Sequence, residues 1–85
     1  MRLDKFLKVS RLIKRRTVAK EICEGEKVCV NGKTAKPSSA VKPGDRLVIN
    51  MRQRILEVIV LSTPDNVRAE EAHTLYEIVK DTKSS

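Results

Sequence analysis

The sequence predicts a single α+β domain, with two N-terminal helices packed on a short, curled antiparallel sheet and a further helix at the C-terminus. Three observations predict it. Apolar residues near the N-terminus recur at helical spacing, the middle of the chain alternates apolar and polar residues, and Asn31-Gly32 separates two alternating runs. Because 85 residues bury only about 60–65% of the surface that the unfolded chain exposes, two layers of structure fit and a separate catalytic domain does not.

Two short helices are predicted before the sheet. Leu3, Phe6 and Leu7 recur at i, i+3 and i+4, which gives the first helix one apolar face. Thr17 is predicted to be the N-cap of the second helix and Gly25 to end it. The apolar stripe of this second helix is expected to consist of Val18, Ala19, Ile22 and Cys23.

Four short strands and the last helix are predicted to follow. Residues 27–30 and 33–36 form a hairpin, because Asn-Gly suits a two-residue turn in which both residues have positive φ. Residues 46–51 alternate, and the nearly continuous apolar run 55–61 is expected to be the best-buried strand. The single domain is assigned to residues 1–81, with residues 82–85 as a frayed tail. The last helix is expected to bury Ala72, Leu75, Tyr76 and Val79.

The net charge of +7 is concentrated at the N-terminus. Residues 1–20 contain eight basic side chains and one acid, Asp4, whereas the two signs are equal in number over residues 21–85. Asp4 lies in the first turn of the first helix, where it is expected to order the helix start. A strongly basic end on a neutral scaffold indicates a polyanionic partner.

Few residues offer catalytic or metal chemistry. The chain has one histidine, His73, on the predicted polar side of the last helix, and Cys23 and Cys29 lie in a helix and a strand as packing residues. The glycines do not form a phosphate-binding loop. We therefore expect no enzymatic activity, no cofactor and no metal. Without a long apolar segment or a secretory signal, we expect a cytoplasmic protein with both thiols free and no association with membranes.

The basic residues themselves predict an RNA interface. Lys14-Arg15-Arg16 precedes the second helix, where three cations destabilise the helix unless an external anion such as phosphate joins them. Between residues 2 and 11, basic side chains recur every three residues and form a continuous stripe; they are Arg2, Lys5, Lys8 and Arg11. The predicted RNA-binding residues are Arg2, Lys5, Arg11, Arg15, Arg16, Thr17 and Lys20, with Lys8, Lys14, Lys33 and Lys36 as a second tier within a basic region spanning residues 1–36.

The aromatic content indicates the kind of nucleic acid. Phe6 and Tyr76 are both placed on apolar helix faces, which leaves no exposed aromatic platform for stacking unpaired bases. Glu21 and Glu24 on the second helix would repel DNA in a helix-turn-helix arrangement. We therefore expect the cations to recognise phosphates and the shape of folded RNA.

The sequence resembles the S-four RNA-binding domain, first described in a small-subunit ribosomal protein. The segments that carry this resemblance are Arg2-Leu3-Asp4-Lys5-Phe6-Leu7, Arg15-Arg16-Thr17-Val18-Ala19 and Val28-Cys29-Val30-Asn31-Gly32-Lys33. Three later segments resemble the small free-standing RqcP (YabO) family of bacterial ribosome quality control, and the likeness covers nearly the whole chain. They are Ala35-Lys36-Pro37-Ser38, Val41-Lys42-Pro43-Gly44-Asp45 and Glu70-Glu71-Ala72 with Leu75-Tyr76-Glu77.

One position departs from the family pattern. The family usually has glycine two residues before the first valine of the hairpin strand, whereas this chain has Glu26 there and Gly25 one position earlier. We expect the turn between the second helix and the hairpin to be altered and the RNA face to be unaffected.

The resemblance implies a role in translation quality control. Family members bind a large (50S) ribosomal subunit that still carries a nascent chain on tRNA. The resemblance implies contacts with 23S rRNA and the P-site tRNA, a partner, RqcH, that recruits alanyl-tRNA, and alanine tails that mark the stalled chain for degradation. By position, Arg2 and Arg16 are the arginines of the family's RNA face. A monomer is expected off the ribosome.

Three other functions remain open on the sequence alone. The first is a heat-shock-type factor that recycles blocked large subunits without tail synthesis. The second is a protein-interaction domain whose basic patch only keeps it in solution. The third is the RNA-binding half of an RNA-modifying enzyme such as a pseudouridine synthase, which the short chain disfavours.

Overall fold

The computed structural model describes residues 1–83, in which two α-helices precede a five-stranded sheet. The strands are ordered β2-β1-β3-β4-β5, and all neighbours are antiparallel. This arrangement confirms the predicted α+β class. The elements are α1 (Leu3–Val9), α2 (Arg16–Glu24), β1 (Val28–Val30), β2 (Lys33–Thr34), β3 (Arg46–Met51), β4 (Arg54–Val60), a 3-10 helix (Ala69–Leu75) and β5 (Tyr76–Lys83).

The core lies between the two α-helices and one face of the sheet. Leu3, Phe6 and Leu7 are fully buried, as the spacing on α1 predicts. Ala19 and Cys23 of α2 pack into the same cluster, but Val18 is 37% exposed, so its predicted place in the core is wrong. Ile22, one turn further along the same side of α2, is only half-buried against the cluster, so α2 turns Ala19 and Cys23 fully inward and the side that carries Val18 towards solvent. The sheet contributes Val28, Leu47, Ile49, Leu56, Val58 and Val60.

The hairpin forms as predicted. Asn31 and Gly32 both have positive φ, at 52° and 84°, which is the conformation that a type I′ turn requires. The returning strand β2 is shorter than predicted, because the chain makes one more hydrogen bond to β1, from Ala35 N–H to Val28 O at 2.9 Å, and then forms a loop beside α1.

The strand β4 has three buried residues, Leu56, Val58 and Val60, which is more than any other described strand, as predicted. Its burial is confined to one face, since Ile55 is 44% exposed. The helices cover only one face of the sheet, so the other face of β4 remains partly open to solvent.

The C-terminal segment is a 3-10 helix followed by a strand, where a longer helix was predicted. Ala72 and Leu75 are buried in the 3-10 helix, for which a spacing of three residues is the natural repeat. Tyr76 and Val79 instead belong to β5, which pairs with the otherwise open edge of β4. Thr82 and Lys83 are paired with β4, and residues 84 and 85, the rest of the predicted frayed tail, lie outside the described residues.

The turn after α2 has a left-handed residue at the position where the family has glycine. The Glu26 and Lys27 N–H groups donate to the carbonyl oxygens of Cys23 and Ile22, at 3.1 and 3.0 Å, which is a Schellman motif. Its left-handed position is Glu26, with φ of 61°, while Gly25 is right-handed with φ of −78°. The glycine is therefore one residue away from the strained position.

We expect Glu26→Gly to stabilise the fold by about 0.5–1 kcal/mol, because relief of the left-handed strain exceeds the added entropy of the unfolded glycine. Urea denaturation would measure this gain in the free energy of unfolding. Glu26→Ala is the matched control, since it removes the carboxylate but keeps the strain, and it should give no gain. Equal stabilities of the glycine and alanine variants would contradict the account.

Candidate nucleic-acid interface

A cleft between the start of α1 and the start of α2 brings together four of the predicted RNA-binding residues. Arg2, Arg16, Thr17 and Lys20 line it, with Asp4 among them, and its volume is about 320 Å³. Three cations therefore surround one buried carboxylate in a recess between the two helices.

Asp4 holds both arginines of the cleft. Its two carboxylate oxygens accept hydrogen bonds from Arg2 Nε and Nη2, at 3.2 and 3.3 Å. Arg16 Nη2 lies 3.6 Å from Asp4 Oδ1. The Asp4 side chain is only 3% exposed, whereas those of Arg2 and Arg16 are 52% and 51% exposed. Each guanidinium has five N–H donors. Arg2 uses one edge on Asp4 and Arg16 forms only an ion pair with it, so both keep donors free for an anion.

Asp4 is ionised in this setting. Burial raises the pKa of its carboxyl, but the hydrogen bonds from Arg2 and the Lys5 N–H, with the charges of Arg16 and Arg2, outweigh burial and leave the pKa below its usual value. Asp4 was expected to order the start of α1, and the structure adds that it joins two arginines that are 14 positions apart in the chain.

We expect Asp4→Asn to flatten the acid dependence of stability. A carboxyl whose pKa is lowered by folding stabilises the fold above its unfolded-state pKa of about 4, and this stabilisation is lost as the pH falls through the folded-state value. Urea denaturation between about pH 5 and pH 2 would therefore show a smaller decline for Asp4→Asn than for the parent. Asp65→Asn, which changes a side chain that is 95% exposed, should keep the parent's decline. Identical profiles for the parent and Asp4→Asn would contradict this role.

The two helices differ in whether the backbone N–H groups at their N-termini already have partners within the protein. The N–H groups of Leu3 and Asp4 donate to the carbonyl oxygens of Ser39 and Pro37, at 2.8 and 3.1 Å, so the start of α1 is occupied by the chain itself. In α2 the first N–H with an intrahelical partner is that of Ala19, which donates to Arg15 O at 3.0 Å. The N–H groups of residues 16–18 lie outside the intrahelical ladder and are suited to an anion.

The predicted N-cap of α2 is wrong by two residues. Arg15, not Thr17, has the extended backbone of an N-cap, with φ of −119° and ψ of 131°, and its side chain forms no capping hydrogen bond. Thr17 is the second residue of the helix and lines the cleft. The helix therefore starts with two arginines, without a capping side chain and without an acid in its own first turn, which strengthens the reason to expect an external anion there.

A larger groove, of about 720 Å³, adjoins the cleft and shares Arg2 and Lys20 with it. It runs between α2 and the loop after β2, and Lys36 of the second tier lies along it. The groove also contains Glu24 and Glu26. Glu26 therefore lies in a groove that adjoins the arginine cleft. The expectation that the displaced glycine leaves the RNA face unaffected stays a prediction.

The other predicted residues lie outside these two recesses. Lys5 points to the loop before the 3-10 helix, where its Nζ lies 3.3 Å from Asp65 Oδ1. Arg11 follows the C-cap of α1 with φ of 61°, a left-handed conformation that favours glycine. The four remaining cations are exposed and line neither recess, and their role in RNA binding stays a prediction; they are Lys8, Lys14, Arg15 and Lys33.

Sequence reasoning missed the acids of the groove and the contact between Asp4 and Arg16. Glu24 was noted only as a charge that would repel DNA, and Glu26 only as a departure from a glycine. Their place beside Lys36 depends on how the loop after β2 packs against α2, and no local sequence signal reports such packing. Asp4 did carry a signal, since it is the one acid among eight cations.

The described part of the chain presents little else of chemical interest. Burial, with the charges of Asp4 and Glu24, raises the pKa of the Cys23 thiol to about 11, so the thiol is neutral and serves as a packing residue. Over residues 1–83, no three His, Cys, Asp or Glu side chains are grouped so as to hold a metal ion. No helix within that range is long and apolar enough to cross a membrane.

Comparison with known proteins places these features in a family. The S4 domain matches residues 1–47, which include α1, α2, the hairpin and every predicted RNA-binding residue. An RQC P-site tRNA stabilizing factor of Halalkalibacterium halodurans is 57% identical over 81 residues, covering 95% of this chain and 92% of the relative. The factor of that name from Bacillus subtilis is 52% identical over 83 residues, covering 98% and 96%. A trimeric structure of Vibrio cholerae heat shock protein 15 superposes with a TM-score of 0.84 at 36% identity, covering 93% of this chain and 81% of that one. The chain therefore belongs to the RqcP family of RQC P-site tRNA stabilizing factors within the S4 domain superfamily.

Proposed function

We propose that this protein is a ribosome-associated RNA-binding factor that uses the cleft between α1 and α2 to hold phosphates of structured RNA. The observation that carries the proposal is the pair of half-exposed guanidinium groups, Arg2 and Arg16, which are both ion-paired with one buried carboxylate beside the open N-terminus of α2. Fixed guanidinium donors and free backbone N–H groups are complementary to phosphate oxygens.

The finer part of the proposal concerns the complex in which the protein acts. It binds stalled large subunits, contacts 23S rRNA and the P-site peptidyl-tRNA, and supports RqcH-dependent alanine tailing of the nascent chain. Support comes from the two relatives named RQC P-site tRNA stabilizing factor, which align over more than nine-tenths of both chains. The proposed action is binding without chemistry: the protein favours one position of the tRNA by contacting it and the rRNA together.

Two measurements test this function. The first compares binding of the protein to purified large subunits with and without peptidyl-tRNA in the P site, and we expect tighter binding when the tRNA is present. The second reconstitutes tailing with RqcH and alanyl-tRNA, and we expect longer alanine tails when the protein is added. Equal affinity for both subunit preparations, together with tailing that does not respond to the protein, would overturn the proposal.

A second candidate function is recycling of blocked large subunits in the manner of the heat-shock branch. The TM-score of 0.84 with heat shock protein 15 supports this candidate function, because the two folds are closely similar over most of both chains. The reconstitution separates the two functions. A recycling factor would change the amount of peptidyl-tRNA released or relocated on the subunit and leave tail length unchanged.

A further inference from the structure

The groove beside the arginine cleft is lined by charged side chains of both signs. Arg2, Lys20 and Lys36 bring positive charge, and Glu24 and Glu26 bring negative charge to the same recess. Cys23 and Ala35 also line it and are 2% and 7% exposed. The most buried side chains of the groove are therefore small and uncharged. At about 720 Å³, the groove lies within the roughly 300–1,000 Å³ range of small-ligand sites.

From this layout we propose that the groove receives one unpaired nucleotide of the bound RNA, with its phosphate at Arg2, Lys20 and Lys36 and its base at Glu24 and Glu26. The inference rests on the proposed function, since it needs an RNA strand at the cleft. A strand held there by Arg2 and Arg16 enters the groove directly, because the two recesses share Arg2 and Lys20.

The acids make the groove selective among bases. A carboxylate only accepts hydrogen bonds, so it favours base edges that present N–H donors. Guanine presents two neighbouring donors, N1–H and the N2 amino group, which match the two oxygens of one carboxylate. Uracil presents one N–H between two carbonyl oxygens, and these oxygens face the carboxylate unfavourably. The groove therefore favours guanine and disfavours uracil.

The acids are difficult to explain as general RNA contacts. Each carboxylate repels the phosphate backbone, so a surface that recognised phosphates alone would be improved by removing them. Glu26 in addition occupies a left-handed backbone position at which glycine is unstrained. A negative charge at a strained position beside three cations is accounted for by a ligand that carries hydrogen-bond donors as well as phosphate.

A basic peptide segment is the other occupant that acids could attract. The three cations that share the groove disfavour it, since they would repel the lysine or arginine side chains of such a peptide. The nucleotide satisfies both sets of charges at once, and the experiment below separates the two occupants.

The test uses the full chain and two RNA hairpins that differ only in a single bulged nucleotide, guanine or uracil. Fluorescence anisotropy at one salt concentration gives the two dissociation constants and their ratio. We expect the parent to bind the guanine bulge about fivefold or more tightly than the uracil bulge, the scale of one bidentate base contact. In Glu24→Gln/Glu26→Gln, the uracil hairpin should bind more tightly because two negative charges are removed. The guanine hairpin also loses its base contact, so the ratio should fall towards one.

Glu21→Gln is the matched control, because Glu21 is an exposed acid of α2 that does not line the groove. It should strengthen binding to both hairpins and keep the parent's ratio. A parent ratio of one, or a ratio unchanged in the double variant, would overturn the nucleotide site; a peptide-binding groove gives this result. Arg16→Ala distinguishes the two proposals. If Arg16→Ala weakens binding to both hairpins while the parent's ratio is one, only the nucleotide site fails. If it weakens binding to neither hairpin, the proposed function fails as well.

Discussion

Phe6→Ala is expected to lower the free energy of unfolding by about 3–5 kcal/mol, the usual loss when a buried aromatic side chain is removed. Phe6 is fully buried and is the largest of the fully buried side chains. It projects from α1 into the cluster that α2 and the inner face of the sheet share. A domain of this size is stable by only about 5–15 kcal/mol, so the substitution removes a large part of the total.

Urea denaturation monitored by circular dichroism would measure the loss. Val18→Ala is the control on the neighbouring helix, because Val18 is 37% exposed and its truncation should cost less than about 1 kcal/mol. Should Phe6→Ala not fold, Phe6→Leu keeps the site apolar and should give a smaller, measurable loss. A loss below about 1 kcal/mol for Phe6→Ala would contradict the core described above.

Arg16→Ala is expected to weaken binding to large subunits by about 10- to 100-fold, the range for a lost hydrogen-bonded contact to a charged group. Arg16 is the first residue of α2, so in the proposed interface its guanidinium and the open N–H groups of that helix contact one phosphate together. Arg16→Lys should recover only part of the affinity, because an ammonium keeps the charge but not the bidentate geometry that Asp4 helps to set.

Lys80→Ala is the matched control for this prediction. Lys80 is an exposed cation of β5, at the far edge of the sheet from the hairpin, and removing it should change subunit affinity by less than about threefold, as for a surface charge outside the interface. Circular dichroism would establish that each variant is folded. Equal losses from Arg16→Ala and Lys80→Ala would mean that net charge alone, and not the cleft, determines binding.

The local patterns of the sequence predicted the elements that are determined locally. The spacing of Leu3, Phe6 and Leu7 suffices for α1, and Asn31-Gly32 suffices for the hairpin, because both depend on residues near in the chain. The burial of β4 and the end of the chain depend on distant partners. Ile55 is exposed because no layer covers that face, and Val79 is in a strand because β4 has an edge to pair.

The same distinction applies to the candidate site. The excess of cations in residues 1–20 predicted a basic patch that includes Arg2 and Arg16, since a count of charges needs no knowledge of the fold. The family resemblance, not the charge, singled out these two arginines, and their contact with RNA stays a prediction. The link between them through Asp4 requires the packing of α1 against α2, and the groove with Glu24 and Glu26 requires the loop after β2. The sequence could therefore predict which polymer binds, whereas the parts that position the arginines emerge only from tertiary structure.

The salt dependence of binding tests the central claim, that Arg2 and Arg16 contact RNA phosphates from one cleft. The measurement is the slope of log K against log salt concentration for large subunits, compared between the parent and folded Arg2→Ala/Arg16→Ala. Each lost phosphate contact should reduce the slope by roughly 0.7–0.9, so the double variant should lose about 1.4–1.8. The account predicts this reduction together with weaker binding at every salt concentration. A folded double variant with the parent's affinity and the parent's slope would contradict it.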